Sequence, residues 1–235
     1  MEKNLAYVAL LLLLIIPVSL KAQEVISRLE IKEKETYVVG PDNVLLVDTL
    51  VMHDKAVIQF NPGLPAFIGV NNAYVGKSCK LVTKGLDGSF RRVGIYGSNG
   101  HDGDPIEMDI HFEALGSLTI DTRGGNGDNG EDGTAERVSS TKKTDGDGTY
   151  QAISSGSPAR AGGAGGNGGN GGNITLTYST EGFIPNFNRH RNMHTIILLY
   201  KGGKGGKPGR YGKTEGKEGV DGKVKLNNKN LAAAQ

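Results

Sequence analysis

The stretch GGAGGNGGNGGNITLTYS, residues 162–179, joins the two patterns from which the fold of this chain is inferred. Its first part places glycine at every third position and doubles each of these glycines with the next residue. Its second part, NITLTYS, alternates apolar with polar residues, which is typical of a β-strand with one buried face. The glycine period is that of a polyproline-II helix, in which one face of the chain recurs at every third residue.

The same period returns in several runs between Gly85 and Gly222. Glycine on the recurring face lets neighbouring backbones approach closely enough to hydrogen-bond, because no Cβ stands between them. A disordered linker and a collagen triple helix are the alternatives. A disordered linker has no reason to keep glycine at a fixed three-residue spacing, and collagen needs long, proline-rich repeats. The pattern therefore favours polyproline-II helices packed within one chain. The structural glycines of this bundle are Gly124, Gly127, Gly130, Gly162, Gly165, Gly168, Gly171, Gly203, Gly206 and Gly209.

Residues 23–84 follow a different pattern. Short segments rich in β-branched and apolar residues alternate with turn signals such as Gly40 to Asn43. Strands of this length suit a β-sandwich, a barrel or a β-solenoid, and the pattern does not choose among them. The predicted fold class is mostly β and polyproline-II. It consists of an N-terminal short-strand β domain over 23–84, followed by a glycine-rich polyproline-II helical bundle with interspersed strands over 85–230.

Two motifs carry a resemblance to known proteins. GGAGGNGGNGGN (162–173) and GGKGGKPGRYG (202–212) resemble the glycine-rich sandwiches of snow-flea antifreeze proteins and of some phage tail-fibre adhesins. The resemblance implies the bundle architecture described above. Ice binding needs flat arrays of threonine, serine or alanine, whereas the positions between these glycines are mostly asparagine, lysine and aspartate, so this activity is disfavoured.

The N-terminus predicts export. Lys3 precedes an apolar stretch from Leu5 to Ile16, and a polar end follows, so residues 1–22 are predicted to be a secretory signal peptide. A membrane anchor is the alternative, but the uncharged stretch falls short of the roughly 18–20 apolar residues that a spanning helix needs. We therefore expect no transmembrane segment after cleavage. The expected location is the periplasm or the cell surface, in association with the outer membrane.

Composition excludes some classes of function. The chain has 27 basic and 25 acidic residues, a net charge of +2, which gives no argument for nucleic acid as a partner. Cys79 is the single cysteine, so the exported protein gains no internal disulfide, and we expect a buried free thiol. Acidic residues are concentrated over 97–133 and basic residues over 201–230. These two blocks are predicted to lie side by side, and the alternative is two independently solvated faces.

No motif predicts catalysis, a cofactor or a metal. GNGDNGEDG (125–133) resembles a calcium-binding repeat, but its aspartate is displaced and no tandem copy follows. HRNMH (190–194) spaces two histidines as in a zinc helix but lacks the glutamate, and GGKGGK (202–207) lacks the rest of a phosphate loop. No serine, histidine and acid set can be assembled from the sequence without an arbitrary choice of residues. The protein is therefore predicted not to be an enzyme.

Two long inserts interrupt the glycine runs, at 134–161 and 180–193. Loops beyond about 12–15 residues are usually functional or disordered. The second insert supplies the candidate partner-binding residues Phe183, Ile184, Phe187, Arg189 and Arg191, because aromatic residues and arginine dominate interface hot spots. The alternative is that Phe183 and Phe187 are local core.

The sequence thus predicts a non-enzymatic structural or interaction protein exported to the cell envelope of a Gram-negative bacterium. Its glycine-rich scaffold would act as an accessory subunit of an outer-membrane or surface complex, with one or more protein partners. The alternative is an autonomous surface adhesin that binds a glycan or a host surface through its loops.

Overall fold

The computed structural model describes residues 25–88, 95–144, 150–189 and 193–232. The predicted signal peptide, residues 1–22, lies outside the described residues, as does Arg191. In chain order the elements are β1 (Ile26–Ile31), β2 (Thr36–Val38), β3 (Val44–Met52), β4 (Val57–Gln59), β5 (Ala66–Val75), β6 (Cys79–Val82), β7 (Ile106–Leu115), β8 (Ser117–Asp121), β9 (Arg137–Thr144), β10 (Tyr150–Ser157), β11 (Ile174–Thr180), β12 (Asn186–Phe187), β13 (Thr195–Leu199), β14 (Val224–Asn228) and α1 (Lys229–Ala232).

The strands form two parallel six-stranded sheets. Sheet A has the order β1-β3-β5-β7-β11-β14, and sheet B has the order β12-β13-β8-β6-β4-β2. Along most of the chain successive strands alternate between the sheets, so each pair of strands makes one coil of a β-solenoid. Strands β9 and β10 form a separate antiparallel hairpin.

The predicted fold class is wrong. In the described residues the regular structure is almost entirely β, the only helix is the single turn α1, and no polyproline-II helical bundle is indicated. Strands from both sides of the predicted boundary at residue 84 share the same sheets, because β5 pairs with β7 and β6 pairs with β8. Burial of apolar side chains dominates folding, and glycine has none to bury. The strands between the glycine runs therefore organise the molecule.

Apolar side chains fill the space between the two sheets. Alternate residues of each strand point inward, as strand geometry requires. Neighbouring strands align these residues into ladders, such as Leu45, Ile68, Met108 and Leu176 in sheet A and Ile58, Leu81, Ile120 and Leu198 in sheet B. All eight lie in the core. Cys79 lies there too as a buried free thiol, which confirms the prediction, and burial raises its pKa.

The glycine runs are connections of this solenoid. They lie in three segments, 83–105, 122–173 and 200–223, which we call the glycine-rich region. Each segment leads from a strand of sheet B to the next strand of sheet A. All three therefore leave sheet B at the carboxyl ends of its strands, on one edge of the solenoid. Their described glycine runs lie against one another and are joined by backbone hydrogen bonds at every third residue. The glycine runs are therefore ordered, as their three-residue period predicts, and they form hydrogen-bonded connections between the strands.

Candidate interaction surfaces

The glycine-rich region has no room for side chains at the ten glycines singled out from the sequence. A Cβ on any of them would collide with a carbonyl oxygen of a neighbouring glycine run. Gly127, for example, faces the carbonyl of Gly166, and Gly206 faces that of Asp128. The N–H of Gly206 also donates to the carbonyl of Gly166 at 2.8 Å. These positions require glycine because the neighbouring backbones approach too closely to leave space for a Cβ.

Asparagine and aspartate side chains join the segments further. The Oδ1 atoms of Asn126, Asn129 and Asp132 accept hydrogen bonds from the backbone N–H groups of the residues that lie 78 positions later, at 2.7–2.9 Å. Asn167 and Asn170 make the equivalent bond to residues 50 positions later. This role was not among the sequence-based predictions. The signal was an asparagine or aspartate directly before a glycine, recurring at every third residue.

The acidic block, residues 97–133, and the basic block, residues 201–230, meet mainly through hydrogen bonds to the backbone. In the described residues one ion pair joins the two blocks, between Lys229 and Asp109 at 2.6 Å. Glu131 pairs with Arg160 instead, which lies outside the basic block. Side-by-side packing of residues 124–133 and 201–210 is seen, but amide hydrogen bonds hold it.

The second insert forms a loop at the opposite edge of the solenoid, between β11 of sheet A and β13 of sheet B. We call residues 181–194 the corner loop; residues 190–192 of it lie outside the described part. Its base is fixed by hydrogen bonds, from the Thr180 hydroxyl to the Phe183 carbonyl at 2.7 Å and from the Asn186 N–H to the His194 carbonyl at 2.7 Å. The chain therefore enters and leaves the loop at defined positions.

The predicted partner-binding residues of the corner loop divide into two groups. Phe183 and Phe187 are half-buried and pack against the core, with Phe183 stacked on the His194 ring at a centroid distance of 4.4 Å. Ile184, by contrast, exposes 84% of its surface, and Arg189 is exposed as well. Met193 is a further exposed apolar residue of this loop. The structure thus gives the two phenylalanines the local-core position and leaves Ile184 and Arg189 free for contact.

A polar pocket lies at the far tip of the glycine-rich region. Its volume is about 620 Å³, and we call it the tip pocket; it is lined by Gly133, Thr134, Ala135, Arg137, Ser157, Arg210 and Tyr211. The hairpin supplies Arg137 and Ser157, which are paired across β9 and β10. Thr134 and Arg160 exchange two backbone hydrogen bonds of 2.9 Å at the base of the hairpin. The first insert therefore contributes one wall of this pocket.

One cluster has the composition of a catalytic triad. On the outer face of sheet A, His111 Nδ1 lies 2.7 Å from the Ser179 hydroxyl, and His111 Nε2 lies 3.4 Å from Glu113. Acyl transfer by serine also needs free N–H groups that stabilise an oxyanion. The ladder between β7 and β11 includes His111 and Ser179, whereas next to His111 the ladder between β5 and β7 is interrupted by a register shift between Val70 and Ala73. The geometry of the described residues brings the three side chains together without assigning them a reaction.

In the described residues, no group of three or more histidine, cysteine, aspartate or glutamate side chains is placed to hold a metal ion. His190 of the HRNMH motif is outside that part of the chain. Nor does any helix in the described part have the length and apolar character needed to cross a bilayer. No protein-family model, curated protein or solved structure matches the chain.

Proposed function

We propose that the protein is a non-enzymatic structural or interaction protein of the bacterial cell envelope. It is exported by its N-terminal signal and acts as an accessory subunit of an outer-membrane or surface complex. The β-solenoid is the scaffold, and the corner loop is the docking element for a protein partner.

The observation that carries this proposal is the exposure of Ile184 on an anchored loop. A large apolar side chain exposed by 84% gains free energy when a partner removes it from water. The stacking of Phe183 on His194 holds the base of the loop, which reduces the conformational entropy that binding costs. The exposed Arg189 supplies a polar group of the type enriched at interface hot spots.

Native co-purification tests the proposal. The protein is tagged at its C-terminus, membranes are extracted in mild detergent, and co-purifying proteins are quantified by mass spectrometry. We expect one outer-membrane protein near one-to-one stoichiometry. Ile184→Asp should lower its recovery at least about tenfold, which corresponds to about 1.4 kcal/mol.

Val220→Asp is the matched control, because Val220 is an apolar residue of the glycine-rich region that is exposed by 72%. It should leave recovery unchanged, and both variants should melt at the wild-type temperature. Equal recovery with Ile184→Asp and wild type would exclude the corner loop as the docking element. Recovery of the tagged protein alone would exclude the accessory-subunit function.

A further inference from the structure

Four basic residues of the last glycine-rich segment occupy equivalent positions in the structure. We call Lys201, Lys204, Lys207 and Arg210 the cation row. Their carbonyl oxygens accept hydrogen bonds from Gly124, Gly127, Gly130 and Gly133, in that order, at 2.8–3.0 Å. Three of them also donate their backbone N–H to Oδ1 of Asn126, Asn129 and Asp132. Because each backbone unit is held in the same way, the side chains leave the segment in the same direction.

The side chains of the cation row are exposed and form no ion pair within the described part of the chain. Three residues of extended chain span roughly 10 Å, so the row presents charges at that interval. Acidic groups flank the row on one side, because Asp132 accepts the Arg210 backbone N–H and both Asp132 and Glu131 line a pocket with Lys207. The row is therefore a linear array of cations on a fixed backbone.

The row ends at the tip pocket, to which Arg210 belongs. Tyr211 lines the same pocket with 56% of its surface exposed, and its backbone is held at φ 63°. Arg137 faces the pocket from the hairpin, and it too forms no ion pair with a described residue. Arg137, Arg210 and Tyr211 thus line one pocket, and this composition suits a ligand that has both carboxylates and an apolar face, since guanidinium binds carboxylate bidentately.

We infer that the cation row and the tip pocket bind an extended acidic polysaccharide, one that carries carboxylates along its length. The row contacts successive acidic groups, and the pocket holds one sugar against the Tyr211 ring. This inference goes beyond the proposed function and does not depend on it, because the corner loop lies at the opposite edge of the solenoid. Duplex DNA or an anionic membrane would meet the same charges, but neither presents a free ring that can enter the pocket and lie against Tyr211.

Binding of a labelled polygalacturonate oligomer to the purified mature protein tests the inference. A neutral glucan oligomer of equal length is the control probe. The variant K201Q/K204Q/K207Q/R210Q should lose at least tenfold in affinity, and the dependence of its affinity on salt should become shallower. The control variant K32Q/K77Q/K80Q/K225Q removes the same charge from exposed positions elsewhere and should bind as the wild type does.

Tyr211→Asn tests the pocket separately, because asparagine tolerates the left-handed backbone found there. It should weaken binding several-fold without changing the salt dependence. Equal losses in the two quadruple variants would overturn the inference, as would equal binding of the neutral oligomer. Tighter binding of duplex DNA or of anionic phospholipid vesicles would also overturn it. Variants are compared only after their melting temperatures are shown to match.

Discussion

The Oδ1 atom of Asn129 accepts a hydrogen bond of 2.7 Å from the backbone N–H of Lys207, 78 residues later in the chain. The carbonyl of Lys207 in turn accepts from the N–H of Gly130 at 2.9 Å. Two bonds thus join neighbouring residues of one segment to a single residue of another. Because the same arrangement recurs at Asn126 and Asp132, the segments are fixed in register.

Replacing Asn129 tests the energetic value of these side-chain bonds. Asn129→Ala leaves the Lys207 N–H without its side-chain acceptor and should lower the free energy of unfolding by about 1 kcal/mol. Asn129→Asp keeps an acceptor oxygen and should cost clearly less. Denaturant unfolding measures both. If the two variants were equally destabilised, the hydrogen bond would not be the source of the loss.

Replacing a central glycine should be far more costly. Gly166→Ala would drive a Cβ into the carbonyl of Ser98, a backbone atom that cannot rotate away. We expect a loss of at least about 3 kcal/mol, the upper part of the range for overpacked sites. Gly40→Ala is the matched control, because its Cβ would lie 3.4 Å from Asp42, an ordinary contact. Gly166→Ala should have a much lower melting temperature than Gly40→Ala. Equal melting temperatures would contradict the lack of space for a Cβ at Gly166.

The hairpin β9–β10 should be dispensable for folding. Thr134 and Arg160 are already bonded to each other in antiparallel geometry, so an Asn-Gly turn can replace residues 135–159. The shortened protein should keep its far-ultraviolet circular dichroism signal and melt within a few degrees of wild type. A large fall in melting temperature would show that the hairpin stabilises the solenoid. The same variant lacks one wall of the tip pocket and should bind the acidic oligomer weakly.

Asp104 should make stability depend on pH. Burial raises its pKa, and the nearby Asp102 charge adds to this, whereas the N–H of Gly63, which donates to Asp104 Oδ2 at 2.8 Å, opposes it. A carboxyl group whose folded-state pKa is raised binds more protons in the folded state. Its contribution to stability is therefore complete below the unfolded value of about 3.9, and it falls as the pH rises through the folded value.

Asp104→Asn keeps an acceptor for Gly63 but cannot ionise. Its free energy of unfolding, relative to wild type, should be higher at neutral pH than near pH 3, as measured by denaturant titration across this range. A relative stability that stays constant with pH, or that increases towards acid, would contradict the assignment.

The sequence by itself determined the strands and the special status of the glycines. Segments such as NITLTYS read correctly as strands because a period of two residues follows directly from strand geometry. The three-residue phase of glycine also marked positions where backbones meet, because close approach excludes any other residue. From that phase alone, however, we predicted a polyproline-II helical bundle, and the two parallel sheets show this fold class to be wrong.

Only the tertiary structure decided how these parts are arranged. Pairing of β5 with β7 joins residues that lie about forty positions apart in the chain. No local sequence pattern identifies β7 as the strand with which β5 pairs. Burial likewise separated Phe183 and Phe187 from Ile184, although all three are apolar residues of one loop. The tip pocket depends on Arg137 and Arg210, which the chain brings together only when the solenoid stacks its glycine-rich connections at one edge. Stacking between distant segments is a property of the whole fold, so a local sequence pattern cannot predict it.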